Sequence, residues 1–424
     1  MNLNNSSNFQ RLLSLTKTLT GHVNNGNHEQ ALTLFLHMRS SPTLSLDPFV
    51  FPLTLKSCSA LHRSFLGTLI HAHLTKSCLL HNPFVVSALV DFYGKCVSLS
   101  YARQLFDEMS ERNVVVWNAM ISLYSRCNQV EMSLRLFESM DVAPNVSTFN
   151  SIIDGLSRLD GGLYKALAFY RRMYSFGLMG NRITALALLS ACAGTGTIDL
   201  IKEIHGHSIR NDMCNSQLRS CLVEAYGRCG CVENAHIVFR SMDERDVIAW
   251  SSLISAYALH GEATEALKIF REMEDAKVKP DGITFLSVLK ACSHAGLADE
   301  AKKYIVKMRE FYGVEVNSDH YSCLVDALSR AGRLYEAYDV LTKMPVKATA
   351  KTWGALLGSC RSFGEVELAE VAGRALFEIE PDNAANYVLL ARTYANAGRY
   401  EEANKLRLEM KERRVKAAPG GSWV

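Results

Sequence analysis

Twelve cysteines and one His-x-Glu triplet are the residues here whose types could do chemistry. Thiolates bind zinc or pair as disulfides. His260-Gly261-Glu262 is the first half of the zinc-deaminase pattern, in which the histidine holds metal and the glutamate moves a proton. That pattern needs Pro-Cys-x-x-Cys as its second half, and no Cys-x-x-Cys occurs in the 424 residues. No catalytic triad, phosphate-binding glycine loop or other enzyme motif is present. The expectation is a protein that is not an enzyme and holds no metal or cofactor.

Register explains the cysteines. The chain returns twelve times to one template, beginning near residues 12, 48, 83, 114, 146, 182, 216, 247, 282, 318, 350 and 384. Counted from each start, Cys58, Cys192, Cys292 and Cys360 fall at position 11, Cys96, Cys127 and Cys229 at 14, and Cys221 and Cys323 at 6. A thiol that recurs with the repeat is a small apolar side chain for packing, kept reduced. His260-Gly261-Glu262 lies where two helices should turn.

Repeat spacings of 31 to 36 residues predict a helical solenoid, because a unit this short buries its apolar face only on its neighbours. Each unit reads as two helices. The first covers roughly positions 3 to 14, with an aromatic at 4 (Phe51, Trp117, Phe149, Trp250, Phe285, Tyr321, Trp353, Tyr387) and aliphatics at 7 and 8. Glycine at position 15 (Gly26, Gly230, Gly261, Gly332, Gly398) supplies the turn. Alanine at position 20 lets the second helix approach closely, with Phe and Met filling in behind it, as in Phe270 with Met273. The fold class is all-α, a right-handed α-solenoid of about twelve helix-turn-helix repeats.

A net charge of +3 makes any basic surface a matter of placement. No apolar run approaches the ~18 residues of a membrane span. The first 28 residues contain Arg11, Lys17, several hydroxyls and, in their body, no acid, which resembles an organelle transit peptide.

Phrases such as LVDFYGKC, WSSLISAYALHGEATEALKIFREM and ACSHAGLADEAKKY, in units of alternating length, resemble the plant pentatricopeptide-repeat family in its P-L-S subclass. The stretch from WGALLGSCRSFGEVELAE to the closing Ser-Trp resembles that family's E-type tail. Three parts follow: an N-terminal segment 1–11, a repeat array 12–349 of about ten units, and the tail 350–424.

The resemblance implies single-stranded RNA binding at about one base per unit, read by the residue at position 5 and the last residue of the unit. Thr16 with Asp47 implies guanine and Ser87 with Asn113 adenine. Asn118 with Asn145, and Asn150 with Asn181, imply pyrimidines. Ser220 with Asp246, and Ser251 with Asp281, lean to guanine. Pro52, Leu186 and Leu286 stand at position 5 of the L-type units and cannot hydrogen-bond. The implied target is G-x-A-Y-Y-x-G-G, Y being a pyrimidine. The rival reading of each polar residue is a helix cap. Phosphate contacts are expected from the cations at position 13, Lys95, Arg126, Arg158, Arg228 and Arg330, against the rival of solvated surface charge.

The E-type tail implies a specificity factor for cytidine-to-uridine editing of organellar transcripts. It would be a monomer recruiting a deaminase-bearing protein in trans, in the mitochondrion or, alternatively, the chloroplast. Another RNA-processing, splicing or stability role, or a protein-interaction scaffold, are the alternatives.

Overall fold

The computed structural model describes residues 3–41, 46–109, 111–192, 195–413 and 415, with side chains from residue 10 onward. It forms two compact units, residues 1–191 and 192–424. The closing Ser-Trp lies outside the described residues.

In the first unit the hairpins are α1 (Leu3–Asn24) with α2 (His28–Ser40), α3 (Val50–Ala60) with α4 (Ser64–Lys76), α5 (Pro83–Cys96) with α6 (Leu99–Asp107), α7 (Val114–Arg126) with α8 (Val130–Glu138), and α9 (Val146–Ser157) with α10 (Leu163–Ser175). α11 (Arg182–Cys192) follows them. The second unit opens with α12 (Ile198–Arg210). It continues as α13 (Ser216–Arg228) with α14 (Val232–Arg240), α15 (Val247–Leu259) with α16 (Ala263–Asp275), α17 (Gly282–His294) with α18 (Ala298–Glu310), α19 (Ser318–Arg330) with α20 (Leu334–Lys343), α21 (Ala350–Phe363) with α22 (Val366–Ile379), and α23 (Ala384–Asn396) with α24 (Tyr400–Glu412). No strand occurs among the described residues.

Odd-numbered helices pack on one another in series, α3 on α5, α5 on α7 and α7 on α9, then α13 on α15, α15 on α17 and α17 on α19. Even-numbered helices wedge between their own partner and the next odd helix, as α8 does between α7 and α9 and α16 between α15 and α17. The wedge closes because the position-20 alanines, such as Ala266 and Ala301, are fully buried. Phe270 then reaches Phe285 of the next hairpin at 5.5 Å between ring centres. Truncating such a phenylalanine to alanine costs about 3–5 kcal/mol. Within the odd layer, a Cβ on Gly227 would sit 2.5 Å from the Ala256 methyl, so a larger residue there pushes α13 off α15.

The five position-15 glycines all have positive φ, from 75° to 83°, which makes each helix-to-helix turn free of steric cost. Gly261 is one of them, so His260 and Glu262 flank a turn. His260 is spent on the Gly227 carbonyl, at 2.9 Å from its Nε2.

Two boundaries differ from the sequence reading. Most first helices, α15 and α17 among them, begin at position 1 and not 3, because the last residue of the preceding unit is the N-cap, whereas α3 starts at position 3, at Val50. The first helix also starts at Leu3, well before residue 12, since no glycine or proline interrupts residues 3–11. None of the twelve cysteines is in a disulfide. Burial pushes Cys58 and Cys192 up to about 11 and Cys292 and Cys360 up to about 12. Such thiols stay protonated and inert.

Candidate nucleic-acid interface

In three units the last residue caps the next odd helix and, in the same act, meets position 5 of its own unit. Asn145 Oδ1 accepts from Thr148 N at 3.1 Å, satisfying the first turn of α9. The same oxygen accepts from Asn118 Nδ2 at 3.0 Å. Asn181 repeats this, with Thr184 N at 3.2 Å and Asn150 Nδ2 at 3.1 Å. Asp246 Oδ1 accepts from Ala249 N at 2.8 Å and from Ser220 Oγ at 3.1 Å. The cap and reader readings of the last residue are therefore compatible.

What the cap leaves over depends on whether it is Asn or Asp. Asn145 and Asn181 spend their only oxygen on the protein and keep an NH2 group for a ligand. Asp246 and Asp281 spend Oδ1 and keep Oδ2, an anionic acceptor. A free acceptor suits the N–H groups of guanine, and a free donor suits a base carbonyl. This difference is the physical content of the Asn and Asp assignments.

Position 5 is more recessed than the sequence implied. Ser220 is only 2% exposed and Ser251 6%. The Ser220 hydroxyl has Ser216 O at 3.0 Å as a second acceptor, and Ser251 bonds Val247 O at 2.7 Å. These serines brace their aspartates, which carry the exposed polar atoms. Ser251 and Asp281 are not directly bonded. Thr284 links them, at 2.7 Å to Ser251 and 2.8 Å to Asp281. Ser87 turns back to Phe84 O at 3.1 Å, while Asn113 caps α7 at Val115 N, 3.1 Å away. Thr16 bonds Leu12 O, and its groove is shared with Asp47, Lys17 and Phe49.

The groove around Ser251 shows the site whole. It has a volume of about 330 Å³, and its lining includes Asp281, Arg228, Lys290, Ile248 and Ile283. Ile248 and Ile283 stand at position 2 and are 57% and 67% exposed. Leu13, Phe49, Phe84 and Ile183 occupy the same register and are also exposed. Sequence reasoning missed this apolar row. Its signal was an aliphatic or aromatic residue immediately after the first helical residue, on a turn too exposed to be core. Flat apolar rims at the spacing of the polar pairs suit planar bases between them.

Every position-13 cation is already paired. Lys95 and Arg126 share Asp91, at 2.7 and 2.6 Å. Burial works against the Asp91 charge, but hydrogen bonds from these two cations outweigh it and hold its pKa below the usual range. Arg158 pairs with Asp154, Arg228 with Glu224 at 3.2 Å, and Arg330 with Asp326 at 2.9 Å. The acids stand at position 9, one helical turn before the cation, except that Arg126 reaches back to Asp91 of the preceding hairpin. In two of the three L-type units position 9 is instead a lysine, Lys56 and Lys290, and neither has a carboxylate partner among the described residues.

Comparison with known proteins places the chain in a family. A PPR repeat family model matches residues 112–158 and 245–294. A PPR repeat model matches 19–42, 84–114, 220–247, 283–312 and 319–347. An E motif matches 363–424. A pentatricopeptide repeat-containing protein of Arabidopsis thaliana is 58% identical over 99% of this chain and 98% of its own length. The chain is a pentatricopeptide-repeat protein. Two further members from the same plant, named as chloroplastic and mitochondrial, are 36% and 34% identical over 96% and 98% of this chain, which spans 57% and 61% of them. The fold matches the crystal structure of the pentatricopeptide repeat protein PPR10 in complex with an 18-nt psaJ RNA element. The TM-score is 0.76, at 20% identity, covering 95% of this chain and 61% of that one.

In this pentatricopeptide-repeat chain the E motif falls on the last hairpins. Phe377 of α22 stacks on Tyr387 of α23 at 3.9 Å. A groove beside them is lined by Glu370, Arg374, Phe377, Leu390, Tyr394 and Leu406. Among the described residues no cluster of side chains could hold a metal, and no helix is long and apolar enough to cross a membrane.

Proposed function

We propose that this protein binds single-stranded RNA by sequence, one base per hairpin, and marks cytidines of organellar transcripts for conversion to uridine. One observation carries the reading: at successive hairpins a capped helix start presents an unspent donor (Asn145, Asn181) or acceptor (Asp246, Asp281). Exposed apolar residues, Ile248 and Ile283 among them, rim the groove at the same spacing. RNA contact in PPR10 supports the choice of ligand. Thr16, Asp47, Ser87, Asn113, Asn118, Asn150, Ser220 and Ser251 complete the pairs.

The E motif supports the editing role, with residues 350–424 as the surface that docks a deaminase-bearing partner. Its groove has an apolar floor and a charged rim, which suits a protein better than a nucleic acid. The compartment is an organelle, the mitochondrion in our reading. A fluorescent fusion of the N-terminus checks it, and a plastid signal would move the assignment.

Gel-shift on G-x-A-Y-Y-x-G-G RNA against a scrambled sequence tests binding. Tighter binding to the first supports the reading, and equal affinity ends it. Transcript sequencing in a line lacking the protein tests editing: loss of conversion at one cytidine is the expected result, and intact editing with altered splicing or abundance removes that role.

A further inference from the structure

The RNA-reading assignment gives Asn118 and Asn150 a donor and an acceptor each, but an amide whose ends can exchange specifies nothing. The groove contains a device that prevents the exchange. Thr148, fully buried at position 3 of the next unit, accepts the Asn145 backbone N–H at 3.0 Å. With that lone pair engaged, its single hydroxyl proton points onward. Asn118 Oδ1 lies 2.6 Å away, and the Asn145 carbonyl oxygen of the side chain is farther, at 3.2 Å. The hydroxyl therefore donates to Asn118. Its neighbour Asn145 Oδ1 is a pure acceptor and takes the other end of the same amide, Nδ2, at 3.0 Å. Turning the Asn118 amide over would set oxygen against oxygen at Asn145 and take Oδ1 away from the Thr148 hydroxyl proton.

The next hairpin repeats the circuit. Asn181 N donates to Thr184 Oγ1 at 3.0 Å, and Thr184 Oγ1 donates to Asn150 Oδ1 at 2.6 Å. Asn150 Nδ2 reaches Asn181 Oδ1 at 3.1 Å. Behind two of the serine readers the corresponding residue is aliphatic: Val116 behind Ser87 and Ala249 behind Ser220. A hydroxyl has no two ends to confuse, so nothing there needs fixing.

We propose that Thr148 and Thr184 are positioning residues for base recognition: each sets which end of the neighbouring unit's asparagine faces which way, and so fixes its order of donor and acceptor. The inference rests on the RNA-reading assignment. It extends that assignment to residues that touch no base.

Fluorescence anisotropy with the full chain tests it. The probes are the G-x-A-Y-Y-x-G-G RNA and the same RNA with purines at its fourth and fifth nucleotides. The wild type should prefer pyrimidines by about tenfold, and the Thr148→Val, Thr184→Val double variant by about twofold. Thr148→Ser with Thr184→Ser, which keeps both hydroxyls, should restore the preference. With Asn118→Ser and Asn150→Ser in place, the valine changes should leave the ratio unmoved. A valine variant that keeps the wild-type ratio, or a serine variant that fails to restore it, overturns the proposal, even if thermal stability drops in both. A wild type with no pyrimidine preference overturns the base-reading assignment itself, and the positioning role with it.

Discussion

Two rows of polar side chains run along the odd-numbered helices, and they are in opposite states. At the helix starts, Asn145, Asn181, Asp246 and Asp281 satisfy the backbone and still hold a free donor or acceptor. Some three and a half turns further along such helices, Lys95, Arg126, Arg158, Arg228 and Arg330 are each bound to a carboxylate. The first row is prepared for a ligand. The second is prepared for its own neighbours, and an RNA phosphate must compete with Asp91, Asp154, Glu224 or Asp326. Register tells which face a residue occupies. It does not tell whether the residue's bonding capacity remains.

Removing the position-5 partners of the first row should have the largest effect. Asn118→Ala with Asn150→Ala should weaken binding to the matched RNA by about 30-fold or more, at about 1–3 kcal/mol per well-formed base contact. Lys95→Gln should change the same titration by no more than about twofold, the scale of an exposed ion pair. If the cation matters more, the contrast is broken.

The second row can be released. Asp91→Asn frees Lys95 and Arg126 together, so log affinity against log salt should steepen by about 1.4, at ~0.7 per phosphate on single strands. An unchanged slope would mean that these cations face away from the RNA path. Lys290→Gln removes a cation with no carboxylate partner, inside the groove, and should make the slope shallower by about 0.7. No change there would leave the phosphate contacts unassigned.

The smallest effect concerns the joints that hold both rows. His71, His205 and His236 bond Tyr93, Tyr226 and Tyr257 through Nδ1, at 2.7, 3.1 and 2.7 Å. Burial lowers all three pKa values; Arg219 adds to this at His205, and Arg240 and Lys268 at His236, while Glu108 opposes it at His71 and Glu272 and Glu265 at His236. Folding thus favours the neutral ring. The associated stability is present above the unfolded value near 6.5 and is lost as pH falls through the lower folded values. The melting temperature should fall between about pH 7 and pH 5, and His236→Gln should flatten that fall.

Much of the fold was legible. Position-4 aromatics, position-15 glycines and position-20 alanines are fixed by packing and turn sterics, which repeat with the chain, and register alone locates them. Phe51, Phe149, Phe285 and Tyr387 are at most 1% exposed, as a core row must be. α15 and α17 start two residues earlier than the repeat register implies, because Asp246 and Asp281 end their units in sequence but physically begin the next helix. Within the site, identities at position 5 and the last position could be read, but their bond allocation could not. Nothing in Ser220 says that its hydroxyl lies behind Asp246, and nothing in Thr148 marks it as the partner of a residue 30 positions earlier. Those facts come from stacking one hairpin on the next.

The most direct test exchanges one pair for another. Asn118→Thr with Asn145→Asp rebuilds in the fourth unit the combination found at Thr16 and Asp47. Competition binding then compares RNA carrying guanine with RNA carrying a pyrimidine at the fourth nucleotide. The account predicts that the preference crosses from pyrimidine in the parent to guanine in the variant, with the other positions unaffected. A variant that binds both RNAs in the parent's order, while still folded, would contradict it.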